Sequence, residues 1–260
     1  MRQRTHAALR LMELRAYLAD KTRPAPANSK HVLIFAQGRT GTTLLESLLC
    51  STGHFDGRGE VLNTYTREVW KPIPYVRGLG RAADGTNLVV HVKGSHLTRA
   101  RRRLGSVDAV DLLRALDADG WTIVNIGRSS IADQVLSECV ALARGGYHKT
   151  NDRQEMVRVR IDPAEFMRRY DVRLRFGQED RAALDQFPHL QLTYEQDLAD
   201  ASGHQSAVDR ILDAVGLPHK PVRTSLRKIN RAAPTEILEN FDEIDAALRG
   251  RGFEWSSKVA

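Results

Sequence analysis

The sequence predicts an α/β protein with a central parallel sheet flanked by helices. Three observations carry that expectation. Four short apolar runs of strand character alternate with stretches whose apolar residues fall at helical spacing. A glycine-containing segment joins the first run to the helical stretch after it. The chain has 260 residues, of which 42% are hydrophobic and 27% charged. That is enough for a sizeable core and excludes a disordered polymer.

The elements follow in order. Ala7, Leu11, Leu14 and Leu18 share one face of an N-terminal helix, flanked by Arg10 and Arg15. This apolar stripe is narrow and holds no Trp or Phe, so it is expected to dock on the protein rather than lie in a membrane. Residues 21–30 are rich in Pro, Ala and polar groups and form a connector. The chain therefore divides into an N-terminal helix and connector, 1–30, and a main domain, 31–260. His31–Ala36 is the first strand, and Leu44, Leu45, Leu48 and Leu49 mark the helix after it. Leu88–Val92 is a second strand, followed by a helix on Ala109, Leu112, Leu113 and Leu116. Trp121–Ile126 is a third, followed by a helix on Ile131, Val135, Cys139 and Leu142. A longer helix covers much of 162–186, and His189–Tyr194 is a fourth strand. Val208, Ile211, Leu212 and Val215 lie on a helix that stops at Gly216-Leu-Pro218. Thr235 is placed to cap a last helix carrying Ile237, Phe241, Ile244 and Leu248. Residues 61–87 are the least regular stretch and are expected to be a loop walling a substrate.

Charge and cysteine content narrow the setting. The 39 Lys and Arg against 32 Asp and Glu leave a net +7, which favours an anionic partner. Cys50 and Cys139 lie too far apart in sequence for a disulfide framework and fit a reducing, cytoplasmic compartment. No stretch approaches the ~20 apolar residues that span a bilayer.

The segment Gln37-Gly-Arg-Thr-Gly-Thr-Thr43 carries the most chemistry. A glycine loop opening a helix offers backbone N–H donors and a positive dipole end to an anion. Against the nucleoside-triphosphate loop, Ala36 takes the first Gly position and Gly41 the second. Thr42 stands where that loop has Lys, and Thr43 where it has Ser or Thr. The spacing survives and the lysine does not. Neither Val92 nor Ile126 brings an Asp to its strand end, so a Mg²⁺-dependent kinase or GTPase is disfavoured. Gly38, Arg39, Thr40, Gly41, Thr42 and Thr43 remain for a smaller anion.

With Leu44, this segment resembles the 5′-phosphosulfate loop of the P-loop sulfotransferases, which use 3′-phosphoadenosine 5′-phosphosulfate (PAPS). The likeness is nearest to bacterial carbohydrate-type enzymes and runs from about residue 31 to residue 253. It implies a P-loop NTPase-like three-layer fold, a PAP product and no metal. It assigns the 3′-phosphate to Arg128 and Ser137, after the third strand. The Asn or second Arg that usually follows this Arg is replaced by Ser129 and Ser130. Leu192-Thr-Tyr-Glu-Gln-Asp-Leu198 is similar to the family's strand-end Tyr-Glu-Asp-Leu with one residue inserted. Tyr194 is then either an adenine neighbour or a core tyrosine. Arg227, Lys228 and Arg231 lie in a basic C-terminal stretch where some members add a further 3′-phosphate contact, and Lys228 is taken as the candidate among them.

Sulfuryl transfer needs a base for the acceptor and cations for the charge that builds on the leaving group. The resemblance offers two bases. Glu60, past the loop helix, is preferred. His96, in His91-Val-Lys-Gly-Ser-His-Leu97, is the alternative, shifted by one residue from the family pattern. Arg39 and Lys93 are the cations expected to face the transferring group. His91 and His96 have no Cys or carboxylate at ligand spacing beside them, which argues against a metal.

The implied activity is sulfation of a sugar, glycolipid or other small hydroxylated acceptor, framed by 61–87 and by Gly145–Lys149. The run Arg99–Arg103 lacks interleaved aromatics, and no nucleic-acid partner is expected. No stable membrane insertion is expected, and a homodimer is left open. The rival readings are a P-loop small-molecule kinase and a non-catalytic nucleotide-binding protein.

Overall fold

The computed structural model describes residues 6–63, 68–83, 85–98, 104–143, 158–226 and 232–255. The run Arg99–Arg103, the segment Gly145–Lys149 and Lys228 lie outside the described residues. The chain forms two compact units, Met1–Gly127 with Glu179–Thr224, and Arg128–Gln178 with Ser225–Ala260.

The first unit holds the helices α1 (His6–Thr22), α2 (Thr42–Ser51), α3 (Pro72–Ala82), α4 (Gly94–Leu97), α5 (Ala109–Ala118) and α8 (Ala201–Val215). It also holds the strands found among the described residues, β1 (Val32–Phe35), β2 (Phe55–Glu60), β3 (Asn87–Val92), β4 (Thr122–Gly127) and β5 (Leu190–Thr193). They make one parallel sheet in the order β2-β3-β1-β4-β5. Every residue of β1 is buried, as a strand covered on both faces requires. Its alternate residues feed two cores. Leu33 and Phe35 pack with Val90, Val92, Leu112, Leu113 and Leu116. Val32 and Ile34 pack with Leu45, Leu48, Leu49, Ile211 and Leu212.

Several elements depart from expectation. Phe55–Glu60 is a strand although it reads Phe-Asp-Gly-Arg-Gly-Glu. It lies at the sheet edge, where it needs no apolar alternation, and β3 alone fixes its register. The register shifts between Gly57 and Glu60, so Glu60 falls opposite His91. A Cβ at Gly57 would stand 2.3 Å from Glu46 Oε1, so the close approach of α2 selects glycine there.

Within 61–87, Pro72–Ala82 is a helix rather than an irregular wall. Pro72 opens it, where its missing N–H costs nothing. Tyr75 and Val76 are buried in the same core as Leu33 and Phe35, so this stretch is scaffold.

The N-terminal helix docks, but not by the expected face. Ala16 and Ala19 are buried, and α1 packs on α3 so closely that a Cβ at Gly78 would fall 1.9 Å from the Ala16 carbonyl oxygen. Leu11, Leu14 and Leu18 point outward. The small side chains win the interface because only they let the two backbones touch. Arg81 then ties the layers together: Nε and Nη2 each donate to Asp119 at 2.9 Å, while Nη1 donates to the Asp20 carbonyl at 2.8 Å.

The second unit contains α6 (Ile131–Ala143), α9 (Pro234–Ile237), α10 (Phe241–Arg249) and the greater part of α7 (Pro163–Leu184). Its core gathers Val135, Leu136, Phe166, Ile237, Ile244 and Leu248. The expected last helix is broken into α9 and α10. Thr235 lies inside α9, and Ala233 takes the capping position, its N–H donating to Glu236 Oε2 at 2.8 Å. The break falls where Asn240 is recruited elsewhere: it accepts from the Ile161 N–H and donates to the Ile161 carbonyl.

Candidate functional site

The carboxyl ends of β1, β2 and β3 bring two features together: a glycine loop and a cluster of ionisable groups. The Ala36 N–H donates to the Val92 carbonyl at 3.2 Å, so the loop leaves the sheet beside the residue where β3 ends. Between Ala36 and α2 the backbone is left-handed at Arg39 (φ 70°) and at Gly41 (φ 93°). Alternation of this kind produces anion-binding concavities of backbone N–H groups. At Arg39, a non-glycine residue, it also stores strain. Thr40 Oγ1 donates to the Gln37 carbonyl at 2.8 Å and closes the loop on itself.

Thr42 begins α2, and the helix's first ladder bond runs from Leu45 N–H to the Gly41 carbonyl. The N–H groups of Thr42, Thr43 and Leu44 therefore lie outside the helix's own ladder. The first turn of α2 carries no acidic residue to compete with an incoming anion. Thr40 and Thr42 are buried, and Thr43 is exposed.

Tyr194 opens a π-helical turn, Tyr194–Leu198, directly after β5. Its ring lies over the loop: a Cβ at Gly41 would stand 2.8 Å from Tyr194 Cδ2. Glycine is thus needed at 41 for its positive φ and for the ring above it.

Glu60 closes β2 and Lys93 follows β3, and the sheet sets them side by side. Lys93 Nζ stands 2.6 Å from Glu60 Oε1, and Asn63 Nδ2 donates to Glu60 Oε2 at 2.9 Å. Burial works against the Glu60 carboxylate, but the Lys93 ammonium overrides it, helped by His96 and His91. The result is a pKa below the ordinary glutamate value. His96, on α4, is buried, and its Nδ1 has no hydrogen-bond partner among the described residues. Burial first and Lys93 second lower its pKa to about 4, against the pull of Glu60. At neutral pH the cluster is an ionised carboxylate, an ammonium and a neutral imidazole.

Glu46 and His91 form a separate acid–imidazole pair. His91 Nε2 is 3.0 Å from Glu46 Oε2, and Glu46 Oε1 accepts from the Gly59 N–H at 2.8 Å. Glu46 was not singled out from sequence. Its signal is there in retrospect: it is the single acid in the otherwise apolar and small Thr42–Ser51 stretch. The pair braces the end of β2, one residue before Glu60. A Cβ at Gly94 would fall 2.2 Å from Oδ1 of Asp180, in the end of α7 that belongs to the first unit.

Loop, Glu60, Lys93, His96 and Tyr194 all belong to the first unit. Arg128 and Ser137 belong to the second. Arg128 is the residue after β4, and Ser137 is on α6; both are half-buried. The cap of α6 is Ser130, whose Oγ accepts from the Asp133 N–H at 3.1 Å. Among the described residues, no three His, Cys, Asp or Glu side chains converge as a metal site would require. No protein-family model matches the chain, and no curated protein matches it.

Proposed function

We propose that this protein is a sulfotransferase, moving a sulfuryl group from PAPS to a hydroxyl of a sugar, glycolipid or other small acceptor. In this reading its sheet is that of a P-loop-like three-layer fold. The observation that carries the reading is the Glu60–Lys93 pair, 2.6 Å apart at the carboxyl edge of the sheet. Its two members end the strands one and two places from the strand that feeds a phosphate-type loop, which lacks the lysine of nucleoside-triphosphate enzymes. Open parallel sheets bind ligands outside the carboxyl ends of their strands, where the strand order reverses. Here β1, which feeds the loop, is that strand.

The loop supports an anionic group: left-handed residues at 39 and 41, first-turn N–H groups outside the helix ladder, no acid in the first turn of α2. When bound, PAPS supplies an electrophilic sulfuryl group on a phosphate leaving group. Glu60, held ionised, takes the acceptor's hydroxyl proton as the oxygen–sulfur bond forms. Lys93, released from that carboxylate as it is neutralised, is available to the charge that builds on the departing oxygen. Arg39 and the loop N–H groups hold the 5′-phosphosulfate. Arg128 and Ser137 are assigned the 3′-phosphate, Arg by bidentate contact. Tyr194, over Gly41, is assigned the adenine side. His96, neutral and weakly basic, is the reserve base. Free thiols at Cys50 and Cys139 suit a cytoplasmic setting.

The test is binding, then transfer. Adenosine 3′,5′-bisphosphate should raise the melting midpoint without Mg²⁺, and labelled PAPS should pass label to one member of a panel of sugars, glycolipids and phenols. Arg128→Ala should weaken bisphosphate binding by about tenfold or more. Stabilisation by Mg-ATP alone points to a kinase. Binding without transfer to any acceptor points to a non-catalytic nucleotide-binding protein.

A further inference from the structure

The two faces of α1 have opposite chemistry. Its only acids, Glu13 and Asp20, turn inward. Glu13 is 2% exposed and accepts from Arg10 Nη1 at 2.8 Å, from the Tyr17 hydroxyl at 2.6 Å and from the Trp70 N–H at 2.9 Å. Asp20 faces Arg77 Nε at 3.3 Å. Outward, Leu11, Leu14 and Leu18 are 50%, 64% and 63% exposed. The cations Arg10, Arg15 and Lys21 are exposed with them. No acidic side chain of the helix shares that face.

The missing aromatic comes from elsewhere in the chain. Trp70, held against α1 by Glu13, is 61% exposed, and Lys71 Nζ sits 5.1 Å from its ring centroid. Trp70, Leu14 and Leu104 line a shallow groove of about 340 Å³ beside the helix, which Arg10 and the half-buried Glu68 also line.

We propose that this face is a docking surface for an anionic lipid bilayer, with α1 lying in the plane of the interface. Exposed leucines and a tryptophan at the level of the headgroups, bordered by cations with the acids of α1 turned inward, match what such a surface selects. No helix among the described residues is long and apolar enough to cross a membrane, so the seating is parallel and reversible. A second copy fits less well. A two-fold contact here would set Arg10, Arg15 and Lys21 against their own like charges. The inference does not depend on the sulfotransferase reading.

The test uses the full chain with sedimented vesicles of phosphatidylcholine alone, or with about 30 mol% phosphatidylglycerol. Binding to the anionic vesicles is expected to exceed binding to the neutral ones by tenfold or more, and to fall in high salt. Arg15→Glu should weaken it by about fivefold or more. The double variant Leu14→Glu/Leu18→Glu should abolish it. Both leucines are exposed, so an unchanged circular dichroism spectrum and melting midpoint show that the fold is kept. Trp70→Phe should bind yet lose the blue shift of tryptophan emission. Equal binding to both vesicles, or undiminished binding by the double variant, overturns the proposal. So does a dimer that dissolves in the double variant while wild-type protein ignores vesicles.

Discussion

Glu60 and Lys93 hold each other in a state that decides two experiments. Glu60→Gln keeps the shape and removes the proton acceptor, so turnover should fall by ~10²–10⁴ with nucleotide binding retained. Normal turnover there, with loss in His96→Ala, would transfer the role to His96. Lys93→Met tests the electrostatics. Without the ammonium, the main opposition to burial is gone and the Glu60 pKa must rise. The acid limb of kcat/KM should then move to higher pH; an unmoved limb separates Lys93 from the base. Glu60 and Lys93 were readable as single positions in the sequence. Their pairing was not, because it depends on the register shift in an edge strand whose composition hides it. Arg39 was legible as the loop's cation, but its left-handed backbone became visible only in three dimensions.

At the scale of elements, Gly78 is the tightest joint, because α1 and α3 meet there backbone to backbone. Gly78→Ala should push the helices apart and lower unfolding free energy by about 1–3 kcal/mol, read from urea midpoints. A neutral outcome would mean that α1 contributes nothing to the cooperative unit. The strands β1, β3 and β4 were legible because burial on both faces leaves a continuous apolar run or nearly so, and β5 because Leu190 and Leu192 alternate with polar residues. The edge strand β2 was not, since it needs apolar contact chiefly at Phe55. Helix α3 was hidden by its prolines and glycines, which read locally as turn chemistry. Here Pro72 starts the helix, and Gly78 and Gly80 admit a neighbouring backbone and the rings of Trp121 and His31. For α1 the leucine periodicity identified the helix and misassigned its buried side. Contact between backbones outweighed the larger hydrophobic area.

For the whole molecule, the buried histidines set the response to acid. His31, packed on Trp121 and accepting the Leu88 N–H at Nδ1, has its pKa lowered to about 4 by burial, as has His96. Unfolded histidine titrates near 6.5. Between those values the unfolded chain binds the extra protons, so their contribution is complete above pH 6.5 and is lost as pH falls towards 4. From pH 7.5 to 5 the unfolding free energy should drop by about 2 kcal/mol per histidine. His219 acts with the opposite sign, its pKa raised by hydrogen bonding to Asp213, but it lies at the surface. Urea melts across that range check the slope, which should halve in His31→Gln; a flat profile would refute the burial argument.

The polar edge strand has a consequence for how the protein survives at high concentration. The outer rims of a sheet are templates for addition of foreign strands, and natural proteins blunt them with charge, kinks and brevity. On one rim, β2 carries Asp56 ion-paired to Arg58 at 2.7 Å and breaks its own register. The other rim, β5, is four residues long and turns at once into the π-helical segment at Tyr194. Neither rim offers the long, flat, apolar ladder on which a misfolded neighbour would nucleate, so the molecule is guarded against fibrous self-association along both sides of its sheet.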